Sequence, residues 1–140
     1  MLPIKKLIIS LSALSFIFAS SNALAQQRNV KSSCRLYTTA GLIGKGRCTI
    51  KTYIEGNYIM VEVYKSWEQN NEPDRLRFTN RPDCISWQWK SDNGCEEEFW
   101  YGDGWSYVST REDEENGKTR FIYSLGSAYY FQYDGSFPRP

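Results

Sequence analysis

The sequence predicts an all-β protein, a small antiparallel barrel or sandwich of about eight or nine strands, stapled by disulfides. Three observations carry that expectation. From Cys34 onward, apolar and polar residues alternate with period two, as in strands buried on one face. Gly- and Asn-bearing turn signals separate the alternating runs. The four cysteines fall in two pairs, each flanking such a turn. Past residue 25 no sustained helical stripe occurs; the best helical candidate, Ser66 to Asn71, is cut short by Pro73.

Residues 1–25 read as a removable export signal. Lys5 and Lys6 give a positive start, Leu7 to Ala19 is charge-free and apolar, and Ala23-Leu24-Ala25 places small residues where a signal peptidase reads. Cleavage is expected before Gln26. The apolar run falls short of the roughly 18 residues that a spanning helix needs, so no membrane span is expected after cleavage. The predicted location is the periplasm or the extracellular space. Removing the signal takes two cations and no acid, leaving 15 basic residues against 16 acidic ones. A nearly neutral chain gives no reason to expect nucleic acid as a partner.

The polar residues 26–33 read as a lead-in without structure, and 34–135 as one β domain. The pair Arg47 to Glu55 and Tyr58 to Lys65, joined at Gly56-Asn57, is a hairpin with Ile59, Val61 and Val63 on one face. Arg75 to Thr79 alternates next, with Arg75 and Arg77 opposite Leu76 and Phe78. Cys84 to Lys90 puts Ile85, Trp87 and Trp89 on one side. Glu97 to Tyr101 leads through Gly102-Asp103-Gly104 into Trp105 to Arg111, and an acidic loop, Glu112 to Gly117, follows. Thr119 to Leu125 and Ala128 to Tyr133 form a last hairpin around Gly126-Ser127. The tail 136–140, with Pro138 and Pro140, is not a strand interior.

In an oxidising compartment an even cysteine count reads as disulfides, and the turn signals between them favour Cys34–Cys48 and Cys84–Cys95. Each closes a short loop, worth about 3 kcal/mol on the chain-entropy account. A four-thiolate zinc site would want a Cys-x-x-Cys pair, and none exists. The acidic runs Glu96 to Glu98 and Glu112 to Glu115 lack the alternate-position ligands of a calcium loop. No metal or cofactor is expected.

The chain contains no histidine, which excludes a Ser-His-Asp triad and a Cys-His pair. Glu97, Glu98 and Asp103 are the carboxylates that a glycosidase would need to pair. The chain is short for building a cleft around a sugar, so no catalytic residue and no enzymatic role is expected. The stretch Trp87 to Tyr107 is the richest in chemistry, with four tryptophans interleaved with carboxylates. Ring faces stack on the apolar faces of sugars, while carboxylates accept hydrogen bonds from hydroxyls. The same rings are efficient core material and the usual anchors of protein interfaces. The candidate ligand-binding residues are Trp100, Trp105, Tyr101, Glu98 and Asp103. Trp100 shares its strand face with Glu98 and is expected outside, whereas Trp87 and Trp89 share theirs with Ile85 and are expected inside. The function expected is non-covalent binding, of an envelope or extracellular protein as by a secreted inhibitor, or of a polysaccharide. A structural envelope component is the third expectation.

Overall fold

A computed structural model describes residues 27–68, 72–84 and 94–140. It contains β1 (Gln27–Thr38), β2 (Gly41–Glu55), β3 (Tyr58–Lys65), β4 (Asp74–Thr79), β5 (Glu97–Trp100), β6 (Trp105–Tyr107), β7 (Ser109–Glu115), β8 (Lys118–Leu125) and β9 (Tyr129–Asp134). All ladders are antiparallel, in one sheet of order β6-β5-β4-β3-β2-β1-β9-β8-β7. Among the described residues the one helical piece is a 3-10 turn, Pro82–Cys84. None of their helices is long and apolar enough to cross a membrane.

The two ends of that strand order are consecutive in sequence. Only Val108 separates β6 from β7. The stretch 105–115 therefore pairs with β5 through its first half and with β8 through its second. The buried Val108 donates its N–H to the Glu97 carbonyl at 3.2 Å, and the Thr110 hydroxyl donates to the Glu97 carboxylate. A single sheet thus curls until its edges meet in one bent strand, which leaves barrel-like curvature rather than two separate facing sheets.

Period-two alternation supplies the interior. Ile59, Val61 and Val63 of β3, Leu76 and Phe78 of β4, Phe121 and Tyr123 of β8, and Phe131 and Tyr133 of β9 are all buried in one core. Each such side chain contributes about 1.5–3 kcal/mol by leaving water. The Tyr123 and Phe131 rings stack at 4.6 Å. The β2–β3 hairpin has the expected register, with Glu55 opposite Tyr58 and Ile54 opposite Ile59. Both expected disulfides are formed, with Cα separations of 5.9 Å for Cys34–Cys48 and 5.3 Å for Cys84–Cys95.

Four local expectations are revised. Residues 27–33 are not an unstructured lead-in but the start of β1, because Val30 lies opposite Ile50 and the backbone ladder to β2 compensates for their polarity. Trp105 to Arg111 is not one even strand, since it breaks at Val108 where the sheet changes partners. Glu112 to Glu115 is not loop but the second half of β7. The turn is confined to Asn116 and Gly117, at φ of 54° and 75°, the left-handed geometry of a two-residue hairpin. The tail makes no strand, as expected, but it is not an appendage. Phe137 meets Phe78 at 5.3 Å and Phe121 at 5.2 Å, and the Thr52 hydroxyl donates to the Pro138 carbonyl at 2.7 Å. These residues plug the end of the barrel beside the β2–β3 turn. The export signal, and the strand expected over 85–90 with Trp87 and Trp89, lie outside the described residues.

Candidate functional site at the barrel mouth

The end opposite the plug is open. Glu68, Glu72 and Pro73 between β3 and β4, Tyr101 and Gly102 after β5, and Leu125 and Tyr129 at the ends of β8 and β9 line a concavity of about 630 Å³. That volume lies within the range of small-molecule sites, and barrel mouths are a common place for them. Its walls include Phe99, Trp100, Tyr101 and Tyr129, and its polar lining Lys65, Glu68, Glu72, Asp74 and Arg75.

The floor is built by strands running one step past their apolar residues. Lys65 follows Ile59, Val61 and Val63 on the inner face of β3, and its side chain is 2% exposed. Asp74 precedes Leu76 and Phe78 on β4, directly after the connection from β3. Burying an unpaired ammonium would cost several kcal/mol, so its bonds decide whether this arrangement is tolerable. Lys65 Nζ donates to Asp74 Oδ1 at 2.9 Å and to the Tyr129 hydroxyl at 2.7 Å, and lies 2.9 Å from Glu68 Oε1. The three N–H bonds of an ammonium are thereby used. Asp74 Oδ2 accepts from both Tyr123 and Tyr129 hydroxyls. Burial, and then the nearby Asp74 charge, pushes both phenols far above the ordinary tyrosine range. The floor is therefore a closed network of fixed charge, and the unspent chemistry of the mouth sits on its rim.

Trp100 belongs to two surfaces. Besides the mouth it lines a second concavity of about 290 Å³ on the outer face of the sheet, with Tyr53, Met60, Glu62, Arg75 and Trp105. The Trp100 and Trp105 rings lie 5.3 Å apart, tilted by 55°. Arg77 is clamped beside them. Its guanidinium lies 4.4 Å from the Trp105 ring and 4.5 Å from the Tyr58 ring, and it is held by Glu98 Oε1 at 2.8–2.9 Å. Glu62 accepts from Tyr53 at 3.3 Å and from Tyr64 at 2.9 Å. Arg77, on the face of β4 opposite Leu76 and Phe78, is thus packed between two rings and paired with Glu98.

The residues singled out in the sequence divide accordingly. Trp100 sits on the ridge between the two concavities, and Trp105 lines the outer one. Tyr101 stands at the mouth, 53% exposed and 5.3 Å from Phe99. Glu98 is spent on Arg77, and Asp103 is exposed in the β5–β6 turn and lines neither concavity. Glu97 bonds Thr110 while Glu98 bonds Arg77, so these neighbours face opposite sides of β5 rather than one cleft. Beside Asp83 the sulfurs of Cys84 and Cys95 are joined to each other, which leaves that cluster one carboxylate as a metal ligand.

Sequence reasoning missed Lys65, Asp74, Tyr123 and Tyr129. The signal was present: carrying each strand's parity one step further puts Lys65 and Asp74 inside the barrel end. Compared with known proteins, the chain matches no protein-family model, no curated protein and no solved structure.

Proposed function

We propose that this is an exported binding protein that holds a carbohydrate at the open end of its barrel. The observation that carries the reading is the position of Trp100. It is one wall of a concavity whose rim also offers Tyr101 and the exposed carboxylate Glu72. Flat rings cover the apolar face of a sugar, and a rim carboxylate accepts from its hydroxyls. The closed floor contributes rigidity, which lowers the cost of ordering the site on binding. Two disulfides fit an oxidising compartment outside the cytoplasm, in keeping with the export signal read from residues 1–25.

The test is titration of the mature protein with a broad panel of soluble polysaccharides, followed by tryptophan fluorescence and calorimetry. Saturable binding is expected, with most of the affinity lost in Trp100→Ala. Silence across the whole panel refutes the reading.

One observation favours a protein partner instead. Leu42 and Ile43, at the start of β2 beside the β1–β2 turn, are 51% and 55% exposed. Aliphatic side chains at a hairpin tip suit insertion into another protein and do little for a sugar. On this reading an envelope or culture-medium protein co-purifies with the wild type and is lost with Leu42→Ser/Ile43→Ser, while glycans give no response.

A further inference from the structure

We infer that the ligand is a linear sugar chain, neutral or amine-bearing, that crosses Trp100 from the barrel mouth to the outer face and occupies both concavities. The inference rests on the carbohydrate reading above. A single sugar would need the mouth alone, and the outer concavity would then have no part in binding. The two hollows share Trp100 and Arg75 as lining residues, so they adjoin across one ridge. Past that ridge the outer hollow presents two more rings, Trp105, 5.3 Å from Trp100, and Tyr53. Arg77, fixed by Glu98 and clamped between the Trp105 and Tyr58 rings, holds the Trp105 indole in place. Successive rings held in fixed positions along a path suit successive units of a polymer.

Charge narrows the class. The two linings together carry five carboxylates against two cations, Lys65 and Arg75. Lys65 is paired with two of those carboxylates, Asp74 and Glu68, which leaves Glu55, Glu62 and Glu72 against Arg75. A chain of uronates or sulfated sugars would bring further negative charge into these hollows and be repelled. A neutral chain meets no such penalty, and free amines along the chain gain from the excess of carboxylates.

The experiment measures affinity by calorimetry for defined oligomers of glucose, N-acetylglucosamine, glucosamine and galacturonate, from two to six sugars long. For at least one neutral or amine-bearing series, affinity is expected to rise by about tenfold with length, the scale of one added aromatic contact. Galacturonate is expected to bind at least about tenfold more weakly at low salt, with the gap narrowing as salt screens the charges. Trp105→Ala should abolish the gain with length, its fold checked by near-ultraviolet dichroism. Tyr107→Ala, on β6 but lining neither hollow, should retain the gain. Binding without length dependence, or galacturonate bound as well as the others, overturns the inference and leaves the carbohydrate reading standing. No binding by any oligomer, together with silence on the polysaccharide panel, removes both.

Discussion

Replacing Lys65 by methionine isolates the energetic role of the mouth's floor. Methionine keeps the apolar stem, one atom shorter, while deleting the ammonium and its three bonds. Asp74, whose side chain is 13% exposed, would retain two phenol donors but lose its cation. Breaking a buried pair from one side costs about 3–5 kcal/mol. Glu68 is 32% exposed and gains solvation when released, so the lower end applies, about 3 kcal/mol. For a domain of this size that is a fall in Tm of roughly 10–15 °C. Urea unfolding of the mature protein, disulfides intact, measures it. Adding Asp74→Asn keeps an acceptor for the two tyrosines and removes the stranded charge. The double variant should therefore recover about 2 kcal/mol relative to Lys65→Met. A loss below about 1 kcal/mol for Lys65→Met would refute the claim that this ammonium is buried within a closed network.

Three further outcomes are expected. The folded-state pKa values of Tyr123 and Tyr129 lie above those of the unfolded chain, so the folded state holds protons that the unfolded one releases. Their contribution is complete below about pH 10 and is lost as pH rises, because the unfolded chain then binds fewer protons. Two phenols should resist alkaline titration until the protein unfolds, and phenolate absorbance followed alongside circular dichroism checks this. Phe137→Ala should cost about 3 kcal/mol in urea unfolding, since it empties the plug between Phe78 and Phe121. Gly44→Ala should cost about 1–3 kcal/mol and alter Trp67 fluorescence, because a Cβ there would fall 2.3 Å from the indole. An unchanged spectrum would show that the Trp67 ring does not rest on β2.

The fold was legible where pattern was local. Alternation in Ile59, Val61 and Val63, and the Gly56-Asn57 turn, define the central hairpin with no reference to the rest of the chain. The disulfides were legible because each pair of cysteines flanks a turn signal in the sequence. The break at Val108 was not, since a strand that changes partners midway keeps its alternation on both sides. The plug was hidden for another reason. Pro138 and Pro140 correctly forbid a strand, but burial of Phe137 depends on a hollow that only the curled sheet creates. The aromatic cluster was visible in composition, but Trp100, expected outside from its neighbour Glu98, is only partly exposed, packed beside Trp105. The buried charges were passed over because a lysine and an aspartate at strand ends read as solvent-facing. Period two says otherwise only when it is trusted past the last apolar residue.

The strand order also bears on how the molecule folds. Every ladder except one joins strands that are neighbours in sequence. The exception is β1 with β9, where four pairs, from Cys34–Tyr133 to Tyr37–Tyr130, join segments from opposite ends of the domain. That seam carries the largest single loop-closure cost of the sheet. Two meanders, β1 to β6 and β7 to β9, can each form early, and the barrel is finished when they zip together. The Tyr37 and Tyr130 rings, edge-on at 6.1 Å, form the clasp on its outer side.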